Sequence, residues 1–513
     1  MIANRGEIAV RIARTASEMG MRTVTVFTDP DREAVHTARC DQAVHISDYL
    51  DGDAIIVAAK RVGADAIHPG FGFLAENAGF AKAVEEAGLI WVGPPPAAIE
   101  AMGSKAGARS MMADAGVPVL PGYDGDDQSE DRLAAEAGEI GWPVIIKASA
   151  GGGGKGMQVV ESEEGFASAL QEAQRLARSA FGDEQMVIEK YLAVARHIEV
   201  QVMADAHGNC IHLWERECSI QRRHQKVIEE APSPAFRGDG GQEQRLALCA
   251  HAVQAAKAVA YVGAGTVEFV VDGHGQAYFL EMNTRIQVEH PVTECITGLD
   301  IVELQLRVAA GEKLGLDQGD VQENGWSMEA RLYAEDPDNE YLPSTGRLHA
   351  WRAPTGTGIR VDSGVAVGSE ISIHYDPMLA KVIATGPTRD IARQRLIGAL
   401  TQLVALGVTT NRSHLCRVLR HEQFSKGVLH TRFLDVFADD LRPEPNDTLE
   451  AVFAVLVQGW NALPPSRLPG IRRNWRNSPW RNPRYTFRVG DDEHVMDFTV
   501  CDSHWSINGR SVE

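Results

Sequence analysis

An α/β and α+β multidomain fold is what the sequence predicts, on three observations. The N-terminal stretch alternates short apolar runs with helix-period segments, the pattern of βα units around a mostly parallel sheet. Beyond Pro94-Pro95-Pro96 the chain turns strand-rich around a run of glycines, and a mixed segment follows from about Gly325 to Asp440. After Arg442-Pro443-Glu444-Pro445 it is rich in Trp, Arg and Pro and reads as the beginning of a β-rich module. At roughly 100 to 200 residues per domain, 513 residues correspond to about three domains.

Taken in order, Glu7 to Met19 places Ile8, Ile12 and Met19 near one helical face, Gly20 stops that helix, and Thr23 to Phe27 is the next strand. Ala64 to His68 and Leu89 to Gly93 repeat the strand theme, and the proline run closes the unit. A helix over about Ile99 to Ala115 comes next. Strands are then expected at Pro143 to Ala148, Met157 to Val160, Met186 to Tyr191 and His197 to Met203. Asp205-Ala206-His207-Gly208-Asn209 is turn chemistry, so His197 to Trp214 should be a hairpin, and Gly265 to Asn283 a second one. Asp300 and Glu303 resemble a capping box opening a helix that ends near Gly311.

Composition removes several function classes. Fifty Lys and Arg against 70 Asp and Glu leave a formal charge of −20, the opposite of what a phosphate-neutralising nucleic-acid binder needs. Charges or glycines interrupt each apolar run before the roughly 20 residues of a membrane crossing, and Arg5, Glu7, Arg11, Arg14 and Glu18 leave no signal-peptide core. Seven scattered cysteines without a Cys-x-x-Cys pair suggest a reducing compartment and no structural zinc site. A cytoplasmic enzyme is the expectation.

Three segments carry chemistry. In Lys147 to Met157, Gly151, Gly153 and Gly156 fit G-x-G-x-x-G, yet a strand and not a helix follows, so the dinucleotide reading fails. A strand, glycine loop and strand remain, whose bare N–H groups can close over phosphates; a mobile surface hairpin is the alternative. Lys147, ending an apolar strand, favours an anion. In the hairpin 265–283, strand parity puts Val267, Phe269 and Val271 on one face with Tyr278, Leu280 and Met282, and Glu268, Glu281 and Asn283 on the other. With a two-residue loop at Gly273-His274, Glu268 faces Phe279 and Glu281 is its diagonal neighbour. Two such carboxylates repel unless a counterion such as Mg²⁺ lies between them, or unless both simply face solvent. Finally, Gln221 to Lys226 gathers Arg222, Arg223, His224 and Lys226 in an acidic chain, as a solvated loop or as an anion site.

In combination, Ile2 to Ala9, His68-Pro69-Gly70-Phe71-Gly72-Phe73-Leu74, Lys147 to Met157, Gln221 to Lys226 and Glu281 to Glu294 resemble biotin carboxylase, an ATP-grasp family, over about residues 2–440. The tail, through Arg473-Asn474-Trp475-Arg476-Asn477, is similar more weakly to the start of the linking domain in α subunits of propionyl- or methylcrotonyl-CoA carboxylases. The resemblance implies an N-terminal domain at 1–96, an ATP-grasp domain at 97–320 with a lid at about 118–190, a C-terminal domain at 321–440 and a partial linking domain at 441–513. It implies a ligase that uses ATP and Mg²⁺ (or Mn²⁺) to carboxylate biotin with bicarbonate.

Residue by residue, the resemblance assigns Lys105 and Lys147 to phosphate, and the loop with Gly152, Gly153, Gly154, Gly156 and Met157 to a lid over the ATP tail. Glu189, Lys190 and Leu192 match the adenine segment, and His197, Gln221 and His224 further nucleotide contacts; core packing is the other reading of His197. Glu268 and Glu281 fall on metal ligands, with Asn283 beside them. Arg285, Gln287 and Val288 match the bicarbonate site, Glu289 the base that deprotonates it, and Lys226 a cation stabilising carboxyphosphate. Arg331 matches the arginine that stabilises the biotin enolate, a role suited to a permanently charged planar fork.

The sequence departs from the family in three places. Met1 directly precedes Ile2 where the family has more residues, so a short first strand is expected. Phe71 stands where a tyrosine is common. The Ala-Met-Lys-Met run that carries biotin does not occur, so biotin is expected on a separate carrier domain or chain. Implied partners are a biotin carboxyl carrier protein, a carboxyltransferase (β) subunit and a second copy of the chain or a larger complex, with no nucleic acid and no membrane. The alternatives are the corresponding domain of a pyruvate or urea carboxylase, or an ATP-binding regulatory subunit without turnover, which would not need Glu289, Lys226 and Arg331.

Overall fold

The computed structural model describes residues 1–149, 157–223, 225–238, 240–443, 484–489, 492–501, 504–507 and 510–512. They form two compact units, Met1–Leu441 and Arg442–Glu513.

In the first unit, the helix Gly6–Glu18 buries Ile8, Ala9, Ile12 and Ala16, while Met19 is only partly covered. Strands β1 (Val24–Phe27) and β2 (Gln42–His45) pair in parallel, as do β3 (Ala66–Ile67) and β4 (Ile90–Trp91). Ile2 bridges Thr25 on one side and His68 on the other, so a single residue at the chain start joins the two pairs. Next to it, the Asn4 amide donates to the carbonyls of Pro69 and Phe71, both at 2.7 Å. Gly70, at φ +65° with that amide 2.8 Å from where a Cβ would sit, has to be glycine. The expected helix over 99–115 is two helices, Pro96–Gly103 and Lys105–Asp114, because the Ser104 hydroxyl accepts from the Gly107 N–H and restarts the chain there.

A small antiparallel sheet follows, with β5 (Gly122–Tyr123), β6 (Val144–Ala148), β7 (Gln158–Val160) and β8 (Met186–Lys190) in the order β5-β8-β6-β7. Two helices that the strand-rich reading of this stretch omitted, Glu130–Ile140 and Glu163–Phe181, join its core of Leu133, Val144, Ile146, Phe166, Leu170 and Ile188. Their buried stripes, Leu133 and Ala137 on one and Phe166, Leu170, Ala173 and Ala177 on the other, recur at helical spacing.

The large sheet has eight strands: β9 (Arg196–Ala204), β10 (Cys210–Arg222), β11 (Gln225–Ala231), β12 (Gly263–Val271), β13 (Ala277–Asn283), β14 (Trp326–Tyr333), Ile359–Ser363 and Met378–Gly386. Their order is β13-β12-β9-β10-β11-β14, then Met378–Gly386, then Ile359–Ser363, with each neighbouring pair antiparallel.

The β12–β13 hairpin corrects the expected register. Its connection is 272–276, not two residues, and a β-bulge lies between Glu268 and Phe269. Glu268 therefore stands directly opposite Glu281, and Phe269 opposite Phe279. The bulge also switches parity, so that Phe279 and Met282, rather than Tyr278 and Leu280, complete the apolar face with Val267, Phe269 and Val271. Asp300 caps the helix Ile301–Ala309 through the Glu303 N–H.

In the second unit, Arg484–Val489, Asp492–Cys501, His504–Ile507 and Arg510–Val512 form an antiparallel meander. The run Arg473 to Asn477 lies outside the described residues. Among the described residues no helix is long and apolar enough to cross a membrane.

Candidate active site

One face of the large sheet carries charge where a sheet interior is usually apolar. Register places Glu199 of β9 between Glu268 of β12 and Arg216 of β10, and sets Glu229 of β11 three residues beyond Lys226, which is next to the β10–β11 turn. The Lys226 ammonium donates to Glu199 Oε2 at 2.5 Å, Glu268 Oε1 at 2.7 Å and Glu289 Oε1 at 2.6 Å. The other oxygen of Glu289 accepts from Arg331 Nη2 at 2.9 Å, and Arg331 Nε donates to Glu229 at 2.5 Å. Lysine, carboxylate and arginine thus form one chain of ion pairs, with Lys226 9%, Glu289 1% and Arg331 7% exposed.

Arg216, fully buried, is the hub beneath. It donates to Glu199 at 2.5 Å, Gln201 at 2.8 Å, Thr293 at 3.0 Å, and Thr266 and Gln287 at 3.1 Å. The loop between β13 and the helix His290–Thr297 hangs from this network. The amides of Gln287 and Asn283 each donate to Glu268 Oε1 at 2.8 Å. Arg285 donates to Glu76 and to Asn283 Oδ1 at 2.8 Å, and the Val288 carbonyl accepts from Lys381 at 2.7 Å.

These contacts fix protonation. Burial alone would raise the Glu289 carboxyl, but Lys226, Arg331 and Arg216 overcome that and hold it well below the usual carboxylate range. Glu268 is held low against the same burial by Lys226 and His197, whose Nε2 is 2.7 Å away. Glu229 goes the other way: burial, with Glu289 adding repulsion, lifts it to about 7 despite Arg331. The face therefore holds an ionised Glu289 carboxylate between two cations, and, on the far side of Arg331, a Glu229 carboxyl raised to about 7.

Among the described residues metal-ligating atoms gather twice, at His197, Glu199 and Glu268 and at Glu199, Cys218 and Glu289. Those of His197, Glu199 and Glu268 lie within 4.8 Å of one another, but the Lys226 ammonium already serves as their cation. Across the hairpin, Glu268 and Glu281 stand directly opposed in register, two residues from Asn283, and carboxylate oxygens are the hard donors that Mg²⁺ takes.

Of the remaining expected residues, Lys147, Glu189 and Lys190 fall on the small sheet. Lys147 of β6 pairs with Glu189 of β8, and Arg109 Nε lies 3.9 Å from that carboxylate. The Lys190 ammonium is spent on the carbonyls of Gly141 at 2.9 Å and Trp142 at 2.7 Å, holding the turn into β6. Met157 and Leu192 are half-buried at the strand ends, and Gln221 is buried on β10 opposite Lys226. Lys105 opens the helix Lys105–Asp114. Gly152, Gly153, Gly154, Gly156 and His224 lie outside the described residues. The basic run is no solvated loop as a whole: Arg222 pairs with Glu335 at 2.9 Å and stacks on Tyr341. Sequence reasoning missed Glu199, Arg216, Glu229, Glu76 and Lys381. The available signal was charge recurring inside otherwise apolar strands, as in His-Ile-Glu-Val-Gln-Val over 197–202.

Residues 1–99 match the biotin carboxylase N-terminal domain, 104–317 the ATP-binding domain of the carbamoyl-phosphate synthase L chain, and 329–436 the biotin carboxylase C-terminal domain. The chain is 48% identical over 444 residues to biotin carboxylase 1 of Bacillus subtilis, covering 85% of this chain and 98% of that one. The chain belongs to the biotin carboxylase family. It is an α/β multidomain enzyme of that type. It is also 49% identical over 450 residues to the mitochondrial methylcrotonoyl-CoA carboxylase subunit alpha of Rattus norvegicus, matching 86% of this chain but only 62% of that longer protein. Among solved structures, the biotin carboxylase domain dimer of the Hydrogenobacter thermophilus 2-oxoglutarate carboxylase, in complex with MgADP, ADP and bicarbonate, superposes with a TM-score of 0.82 at 43% identity, covering 86% of this chain and 98% of that one.

Proposed function

We propose that this biotin carboxylase uses ATP to carboxylate biotin on a carrier with bicarbonate through carboxyphosphate, the first half-reaction of an acyl-CoA carboxylase. The observation that carries this reading is the Glu289 carboxylate held between Lys226 and Arg331 beside Arg285, Gln287 and Val288. Glu289 takes the proton of bicarbonate, whose oxygen then attacks the γ-phosphorus of ATP while ADP leaves. Lys226, already a ligand to three carboxylates, exchanges them for the anionic carboxyphosphate oxygens. Arg285 forks onto bicarbonate, and Gln287 and the Val288 backbone shape its seat.

Carboxyphosphate breaks down to CO₂ and phosphate; phosphate removes the ureido N–H proton, and the nitrogen attacks CO₂. Arg331 donates to the ureido oxygen as charge develops there. Lys105, Lys147, Met157, the glycine loop and His224 hold the phosphate tail, with Glu189, Lys190, Leu192, His197 and Gln221 toward the nucleoside. Glu268 and Glu281, with Asn283, hold Mg²⁺, which neutralises phosphate charge when bound. The domains meet near residues 96, 320 and 440. We further propose a cytoplasmic homodimer or larger complex served by a biotin carrier and a carboxyltransferase (β) subunit, the six free cysteines among the described residues being compatible with a reducing compartment.

The test is ADP release by the wild-type chain. It should require bicarbonate and rise with free biotin; ATP hydrolysis indifferent to both, in a folded and ATP-binding protein, would end the reading.

A further inference from the structure

Lys381 is fully buried on the strand Met378–Gly386, paired with Arg331 on one side and Asp362 on the other. Its ammonium donates to the Val288 carbonyl at 2.7 Å and lies 3.3 Å from Glu7 Oε2 and 4.0 Å from Asp362 Oδ2. Asp362 is already engaged by both arms of Arg360, at 2.6 and 3.0 Å. That leaves Glu7, on the helix Gly6–Glu18 and 4% exposed, as the carboxylate nearest to Lys381. An ammonium in such a place needs a reason, because burying it is costly unless it is paired and fully hydrogen-bonded.

The reason lies in what Val288 precedes. Its carbonyl belongs to the peptide unit that ends at the nitrogen of Glu289, and the helix His290–Thr297 starts immediately afterwards. Glu289 is thus gripped at both ends: Lys226 and Arg331 hold the carboxylate, and Lys381, one strand beyond Arg331, holds the backbone. Neither Arg331 nor Lys226 can set where the Cα of Glu289 sits, since both contacts are made at the tip of a flexible side chain.

We propose that Lys381 is a positioning residue for the bicarbonate step, with its ammonium fixing the Val288 peptide and through it the placement of Arg285, Gln287 and Glu289. Glu7 balances its charge and ties the N-terminal helix to the same point. The nucleotide end of the site has no described contact with Lys381, so the effect is specific to bicarbonate. The inference rests on the reading of 285–289 as the bicarbonate seat.

The variants are Glu7→Gln, which keeps the shape of the side chain beside the ammonium but not its charge, and the pair Glu7→Gln with Lys381→Met, which removes both charges so that no Glu7 carboxylate is orphaned. Steady-state kinetics on the full chain should find Glu7→Gln within about threefold of wild type. The pair should lose roughly 10- to 100-fold in kcat/KM for bicarbonate, the range for residues that orient a reacting group from behind, with KM for ATP within about threefold. A pair that melts with Glu7→Gln yet keeps its bicarbonate kcat/KM overturns the proposal. So does a parallel fall in the ATP and bicarbonate parameters, which is what general loosening would produce. A wild type that needs no bicarbonate would end the functional reading itself before any variant is compared.

Discussion

Replacing Glu289 by glutamine tests the assignment of the base, because the structure predicts separate sizes for the structural and chemical losses. The carboxylate accepts from Lys226 at 2.6 Å and from Arg331 at 2.9 Å. Without it, Lys226 keeps Glu199 and Glu268, and Arg331 keeps Glu229. The glutamine oxygen can accept from one cation, but its NH₂ then faces the other, leaving one donor unmatched, a loss of about 1–3 kcal/mol. The fold survives that. The chemistry should not: a positioned general base contributes roughly 10²- to 10⁴-fold, or about 3–5 kcal/mol of barrier at ~1.4 kcal/mol per decade. Bicarbonate-dependent ADP release with free biotin should therefore fall by that factor, while Mg-ATP binding by titration stays close to wild type. A loss below tenfold with ATP binding intact would refute the assignment. At rest, Glu289 is held below the usual carboxylate range and is a weak base.

Three further outcomes are expected. Glu281→Gln should weaken ATP binding at fixed Mg²⁺ by about tenfold, as expected for removal of a group that holds the metal, and unchanged affinity in a titration would count against the hairpin carboxylates as metal ligands. Arg216→Met should lower stability by about 3–5 kcal/mol, as expected when one member of a buried pair is removed, and a urea-unfolding difference under about 1 kcal/mol would mean that its five hydrogen bonds do not hold the site together. Burial lifts Glu229 from 4.5 to about 7, so the folded state keeps a proton that the unfolded chain has lost, and this stabilisation is full below 4.5 and gone as pH rises through about 7. Glu229→Gln should accordingly lose Tm less steeply than wild type across that interval, and superimposable profiles would contradict the raised value.

What could be read from the sequence, and what could not, follows from the range of the forces involved. Strand parity is local, so the approach of Glu268 and Glu281 was legible from the hairpin alone. The bulge that makes them direct partners was not, because no residue in the run demands it. The helices Glu130–Ile140 and Glu163–Phe181 were legible too, since Leu133, Ala137, Phe166, Leu170, Ala173 and Ala177 recur at helical spacing, a period that the strand-rich reading passed over. Resemblance brought Glu289, Lys226 and Arg331 to notice one at a time. Their mutual grip depends on Glu199, Glu229 and Arg216, whose partners sit on strands and loops scattered from 199 to 331 and meet only when the sheet is assembled. This also explains why so many charges persist in a sheet interior. Each cation has a carboxylate on a different strand, so ionisation at one position is stable only if the whole register is right, and the geometry needed for catalysis and the geometry needed to bury those charges are the same.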